Sequence, residues 1–420
     1  MGRSGVLIGL LLLMSAQLPA AEVGVETLEK LPAVQRAAEF FVREADWILQ
    51  QQIRLTSIPA PPFHEEERGR YLEEQFRALG LENVRRDAIG NVLGERPGSD
   101  PEHVVLISAH IDTVFPAGTE IAVRHEGENW VGPGIADNGA GVAALLALAG
   151  ALRDTRLRTG ATLLFAANVG EEGEGNLRGM QALFADGALR RRVRAAIAID
   201  GSNAERLTAQ ALGSKRFQIV VRGPGGHSWA DFGLPNPIQA LARAITRMTA
   251  VQVPAQPRTA FNVGEISGGT AVNAIPYEAS VKVDIRSEME SEIERLEYEM
   301  RAAVAEAVAQ ENAWARVPGG PLEAEIRVIG RRPAGELPPT ARIIEIFRAV
   351  DAHLGIKTSL QRSSTDANIP ISLGIEAVAV GGGGRSGASH SLREWYDPTG
   401  REVGLKRILL ATLLLAGVEE

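Results

Sequence analysis

Two histidines and five carboxylates in this sequence stand in patterns that could do chemistry together. They are His110 and Asp112 in Ala109-His110-Ile111-Asp112, Asp137 in the turn Gly132-Pro133-Gly134-Ile135-Ala136-Asp137-Asn138-Gly139, the neighbours Glu171-Glu172, Asp200 after Ile199, and His390 beyond the glycine cluster at 381–384. The chain contains no cysteine, which removes disulfides, thiolate ligands and a cysteine nucleophile together. Imidazole and carboxylate donors without sulfur suit zinc or a similar divalent ion. One ion cannot use all of them, whereas two ions ~3.5–4 Å apart can if one carboxylate bridges them. Adjacent glutamates in a loop can point differently, so one can bind metal while the other stays free as a general base. A His-x-Asp pair at a strand end lets the aspartate accept the second ring N–H and fix the tautomer. Taken singly, each element has an ordinary structural reading: a satisfied polar histidine, a solvated acidic turn, a helix start. Their joint placement is what argues for a site.

That placement depends on the elements that carry them. Residues 104–109 (VVLISA), 161–168 and 195–200 (AAIAID) are continuous apolar runs of strand length, the pattern of strands covered on both faces. Residues 84–87, 91–94 and 377–380 read as further strands. Helical spacing runs over 34–55, 65–79, 138–152, 340–354 and 405–418. Alternating strands and helices predict an α/β fold: a mixed, largely parallel sheet with helices on both faces. Ligands of such sheets bind beyond the carboxyl ends of the strands, which is where His110, Glu171, Glu172 and Asp200 fall. From Gly213 the pattern changes. Residues 215–222 (KRFQIVVR) alternate polar and apolar, 259–266 and 277–286 read as strands, and 235–250 and 288–312 as helices. Two helices over an antiparallel sheet predict an inserted α+β domain. The expected organisation is a leader at 1–21, a catalytic domain at 22–212 and 323–420, and the insertion at 213–322.

Composition narrows the function. With 45% hydrophobic and 23% charged residues the chain reads as globular, which excludes disordered, collagenous and coiled-coil classes. Asp and Glu outnumber Lys and Arg, 52 to 44, so no nucleic-acid partner is expected. Met1-Gly2-Arg3, the apolar run VLIGLLLLM at 6–14 and the small residues SAQLPAA at 15–21 predict a secretory signal peptide cut near Ala20 or Ala21, because the run is too short to span a bilayer. An exported bacterial protein, periplasmic or secreted and free of the membrane after cleavage, is the expectation.

The set Ser-Ala-His110-Ile-Asp112-Thr-Val, Gly-Ile-Ala-Asp137-Asn-Gly-Ala-Gly, Gly-Glu171-Glu172-Gly-Glu-Gly, Asp200 and Ser-His390-Ser-Leu-Arg-Glu-Trp resembles metallopeptidase family 20, the di-zinc exopeptidases and aminoacylases. The resemblance spans nearly the whole chain in order. It implies two zinc ions per subunit, with Co2+ or Mn2+ as substitutes. His110, Asp137 and Asp200 would hold one ion, and Asp137, Glu172 and His390 the other. It further implies Glu171 as general base, Asp112 as the residue orienting His110, and hydrolysis by metal-activated water. Many members follow the bridging aspartate with a second one; here Asn138 stands instead. The insertion would be the family's lid, or dimerisation domain. His227 in Gly-Pro-Gly-Gly-His-Ser matches its oxyanion-binding histidine, Asn273 its asparagine motif and Arg286 its substrate-carboxylate arginine. In the family the lid histidine often comes from a partner subunit, which would require a homodimer through this domain. The segment RSSTDAN at 362–368 is most like the tripeptidase T branch and favours short peptides. An N-acyl-amino-acid deacylase uses the same residues and remains the alternative. A catalytically inactive binding protein on the same fold would have lost a ligand or Glu171, and none is lost.

Overall fold

In a computed structural model, residues 24–155 and 157–419 are described. The expected leader lies outside them. Among the described residues no helix is long and apolar enough to cross a membrane.

The catalytic domain is built on a mixed sheet. Its four central strands, Ala161–Asn168, Asp100–His110, Val193–Ile199 and Glu376–Val380, run parallel in that spatial order. Val92–Arg96 and then Glu82–Arg86 continue one side antiparallel, and Arg206–Ala211 continues the other. The central strands are the apolar runs seen in the sequence, and Ala161–Asn168 is buried along its whole length. The helices Gly139–Arg153 and Arg401–Ala416 pack on one face, while Arg178–Ala185 and Gly187–Arg192 cover the other. Every residue of Gly139–Arg153 but the last is buried, because Pro32–Arg43 and Ala45–Thr56 cover its outer side. Those two helices replace the single one expected over 34–55.

The glycine cluster at 381–384 owes its composition to packing. A Cβ on Gly404, in the helix Arg401–Ala416, would come within 2.5 Å of Gly383 Cα, and one on Gly382 within 2.9 Å of Ala144 Cβ. The chain threads between two buried helices with room only for backbone.

The lid sheet has the order Thr259–Gly268, Glu278–Ser287, Gly213–Arg222, Glu323–Arg332, all antiparallel. Alternate residues Phe217, Ile219, Val221, Val281, Val283 and Ile285 form a core with Leu241, Leu296, Met300 and Val304 of the helices Pro237–Thr249 and Glu290–Trp314. This corrects one boundary. Glu323–Arg332, assigned from sequence to the second part of the catalytic domain, is the fourth strand of the lid. As an edge strand it is exposed along most of its length, although Ala324, Ile326 and Val328 alternate with Glu323, Glu325 and Arg327. The chain returns at Gly335–Glu336, which pairs with the strand it left at Arg206–Ala211.

A small sheet completes the catalytic domain. Arg385–Gly387, Trp395–Asp397, Asn129–Val131 and Arg124–Glu126 pair in that order. The pairing of Trp395 with Val131 ties the loop carrying His390 to the segment leading to Asp137.

Gly404→Ala is expected to force backbone apart rather than displace a flexible side chain. Overpacking typically costs about 1–3 kcal/mol, and the helix-propensity gain returns only about 1 kcal/mol. The urea midpoint should fall accordingly, with the slope of the transition unchanged.

Candidate active site

The central strands end at one edge. Asp100–His110 delivers His110, Ala161–Asn168 leads to Glu171 and Glu172, and Val193–Ile199 leads to Asp200. Asp137 arrives from the turn before Gly139–Arg153, and His390 from the loop of the small sheet. Donor atoms of His110, Asp137 and Asp200 lie within 4.8 Å of one another, as do those of Asp137, Glu172 and His390, and those of His110, Glu171 and Glu172. Asp137 joins the first two sets. Its Oδ1 is 3.3 Å from His110 Nε2 and its Oδ2 is 3.2 Å from His390 Nε2, while Glu172 Oε1 is 3.3 Å from the same His390 nitrogen.

These groups fit a pair of divalent ions. Asp137 Oδ1 is buried and makes no hydrogen bond; such an oxygen is costly unless a cation or donor satisfies it. His110 Nδ1 lies 3.2 Å from the main-chain oxygen of Asp112. A carbonyl only accepts, so Nδ1 carries a proton, and Nε2 is the ring atom placed to ligate when a cation takes the place of its own proton. The carboxylates pull both rings toward the cationic form. For His390, bonds from Asp137 and Glu172 push the pKa up to about 10. For His110, burial opposes the charge, but Asp112 and Asp137 raise the ring well above its ordinary value. Burial also opposes ionisation of Asp137, and the two histidines outweigh it and hold its carboxyl low. The site selects for positive charge.

Glu171 is buried and differs from its neighbour. Burial raises its pKa well above the ordinary value, with Arg332 opposing and the Glu172 charge reinforcing the rise. Arg332 Nη1 donates to Glu171 Oε1 at 2.8 Å.

Asp112 does a further job beside the one expected. Its carboxylate is 3.6 Å from His110 Nδ1, farther than its own main-chain oxygen. The carboxylate also accepts the backbone N–H groups of Glu171 at 2.9 Å and Glu172 at 2.7 Å. It thus holds the two glutamates, while its carboxylate and its main-chain oxygen both face His110 Nδ1.

Several residues that hold the site carried no legible assignment in the sequence. Glu394 is fully buried, and its carboxylate accepts N–H groups from Ala136 at 2.7 Å, Asp137 at 2.8 Å and Gly134 at 3.3 Å. It therefore fixes the loop of one ligand from the loop of another. Asn138 Nδ2 donates to the carbonyls of His110 and Ile199, and its Oδ1 accepts from Gly201 N–H. An amide suits this position because it can donate and accept at once. Buried Arg68 donates to the carbonyls of Ile58 and Ile111, holding the backbone between His110 and Asp112. Asp366 accepts a 2.7 Å bond from Asn168, and burial pushes its carboxyl up to about 7. Glu394 and Asp366 stood inside motifs read from the sequence; Arg68 had no signal beyond a charged helix.

The lid residues lie apart from this cluster. His227 and Asn273 adjoin each other on a two-stranded ribbon, where Ser228 N–H donates to the Asn273 carbonyl. Both are exposed. His227 Nδ1 accepts the N–H groups of Trp229 and Ala230 at 3.2 and 3.3 Å, which leaves Nε2–H as the outward donor. Arg286 is exposed and pairs with Asp284 at 2.7 Å. It shares a sheet face with Arg216, which also pairs with Asp284 and reaches the Gly173 carbonyl of the catalytic domain at 3.1 Å.

Known proteins match this arrangement in both parts. The peptidase dimerisation domain matches residues 211–312, within the inserted unit, and peptidase family M28 matches residues 91–221, the segment holding His110, Asp137, Glu171, Glu172 and Asp200. A tripeptidase from Staphylococcus aureus superposes with a TM-score of 0.72 at 21% identity, covering 88% of this chain and 98% of that one. The aminopeptidase PepT from Bacillus cereus gives 0.70 at 20% identity, covering 89% and 99%. These matches run through catalytic domain and insertion together. The fold is thus shared with these peptidases, and the inserted unit matches the peptidase dimerisation domain. A dinuclear metal-binding peptidase from the M20 family, of Bacillus subtilis, superposes with a TM-score of 0.64 at 16% identity, covering 90% and 99%. Among sequence relatives, carboxypeptidase G2 of a Pseudomonas species is 26% identical over 231 residues, covering 52% of this chain and 54% of its own. These matches support a hydrolase acting on peptide bonds.

Removing the Glu394 clamp is expected to weaken metal binding by about 10–100-fold, the usual cost of losing a partner that orients a ligand. Competition titrations with a chromophoric chelator on Glu394→Ala would measure it. Glu394→Gln keeps an acceptor for Ala136 and Asp137 and should lose less. Melting of the metal-free proteins separates this from general destabilisation.

Proposed function

We propose that the protein is an exported di-zinc exopeptidase that hydrolyses amide bonds of short peptides. The observation that carries this reading is the pair of donor sets sharing Asp137, with Glu171 beside them. His110, Asp137 and Asp200 would hold one ion, and Asp137, Glu172 and His390 the other. Bound ions of this kind supply Lewis acidity and bring the pKa of water towards neutrality.

The residues themselves do the rest. Glu171 takes a proton from water as the water oxygen bonds to the amide carbon. It then gives that proton to the leaving nitrogen as the C–N bond breaks, so the carboxylate is regenerated. His227 donates Nε2–H to the carbonyl oxygen as negative charge develops there. Arg286 offers its fork to a substrate carboxylate, and Asn273 lines the same approach. Asp112 and Glu394 keep the backbone still during these steps. Export rests on the apolar N-terminal run.

The lid also supports a homodimer. Its edge strand Thr259–Gly268 pairs on one side only among the described strands, and Ile266, Trp229, Val272 and Tyr277 are exposed apolar residues of the same domain. An exposed His227, with no hydrogen bond to the candidate ligands of its own chain among the described residues, fits donation to the partner's site.

The direct test offers the zinc-loaded protein di- and tripeptides and N-acetyl amino acids, with product masses recorded. Release of amino acids from peptides is expected; release of acetate alone would replace the peptidase with the deacylase. Glu171→Gln should keep its metal and lose about 10²–10⁴ in rate. Glu172→Gln should lose metal and regain activity with excess zinc. The reverse pattern would exchange the two roles.

The dimer has its own test. Mixing inactive His227→Ala with inactive Glu171→Gln should restore hydrolysis, since a mixed dimer has one site with both groups intact. No recovery after subunit exchange would confine His227 to its own chain.

A further inference from the structure

We infer that Arg332 is a positioning residue for Glu171, and that it holds this carboxylate from the lid. The inference rests on Glu171 being the general base. Arg332 is the last residue of the lid strand Glu323–Arg332, paired with Ser214 at the start of Gly213–Arg222. Its side chain leaves the lid and is buried in the catalytic domain. There Nη1 donates to Glu171 Oε1 at 2.8 Å, and Nη2 donates to the main-chain oxygen of the same residue. One guanidinium thus grips both the carboxylate and the backbone of Glu171. Nη1 also lies 3.3 Å from Ser364 Oγ, which steadies the fork from the other side.

The grip leaves the base usable. Among the described residues no hydrogen bond engages Glu171 Oε2, while one carboxylate oxygen of Glu171 lies within 4.8 Å of donor atoms of His110 and Glu172. An arginine fork on Oε1 fixes the carboxylate plane, so the free oxygen keeps one direction. Without it, a carboxylate crowded by Glu172 and Asp112 would turn away from those charges.

Arg332 does not act alone on this loop. Arg331 N–H donates to Asn176 Oδ1 at 2.8 Å, and Arg216 Nη1 donates to the Gly173 carbonyl at 3.1 Å. The segment 171–176 is held at three points by two lid strands. Movement of the lid is therefore transmitted to Glu171, and Arg332 is the link that reaches the carboxylate.

A plain staple between domains would predict a loss of stability and nothing specific to Glu171. The test is a double-mutant cycle on zinc-loaded protein with trialanine as substrate. Arg332→Met should lower kcat by about 10²-fold, the scale of an ångström-sized misplacement, with KM and bound zinc close to wild type. Arg332→Lys keeps a charge but not the fork and should fall between. In the Glu171→Gln background Arg332→Met should change kcat little further, because the group it positions is gone. Equal losses in both backgrounds, an unchanged kcat, or a loss matched by loss of zinc would overturn the assignment. If Arg332→Met does not fold, the cycle with Arg332→Lys decides in the same way. Failure of the underlying reading looks different: Glu171→Gln alone would then hydrolyse trialanine at the wild-type rate.

Discussion

Like charges crowded at one edge of a sheet are the constraint on which this structure turns. Asp112, Asp137, Glu171, Glu172 and Asp200 all end near two imidazoles, and in a poorly hydrated site their mutual repulsion would scatter them. The fold answers with fixed donors. Asp112 takes two backbone N–H groups, Glu394 takes three, and Arg332 covers one oxygen of Glu171. Carboxylates thereby become orienting devices, each holding the backbone of another acidic residue. The charge left over faces the imidazoles, where a divalent pair is the natural complement.

The same constraint explains why two neighbours of one type meet different surroundings. Glu171 and Glu172 follow one turn after one strand, and both amides are taken by Asp112. Their side chains diverge because Arg332 draws one aside while the other stays beside His390. The difference between their surroundings is set by what comes from elsewhere in the chain, here from the lid and from the loop at 388–394.

The sequence carried the parts of this that depend on local pattern. His110 and Asp200 close apolar runs, Glu171 and Glu172 follow one, and such runs are strands because burial on both faces demands continuous apolar residues. The lid was legible where its strands alternate; Glu323–Arg332 alternates too over 323–328, but that it joins the lid rather than the catalytic sheet is settled only by its long-range pairing with Gly213–Arg222. The holding residues were hidden for a different reason. Arg68, Glu394 and Arg332 act on carbonyls, amides and one carboxylate, and which backbone group a long polar side chain reaches is a property of the folded chain. Asn138 illustrates this: next to Asp137 it reads as a departure from an aspartate pair, while in place it ties the strand ends of His110 and Ile199 together.

The route of the chain through the central sheet sets an order in time during synthesis. Glu376–Val380 is a central strand, wedged between Val193–Ile199 and Arg206–Ala211, yet it is made after the whole insertion. A chain emerging from the ribosome can gather His110, Asp137 and Asp200 while the sheet still lacks its middle. The set of Asp137, Glu172 and His390 must wait for the small sheet, and the Glu394 clamp on Asp137 arrives with it. Translation thus completes the full cluster of donor groups last, and a truncated or stalled chain carries only part of it.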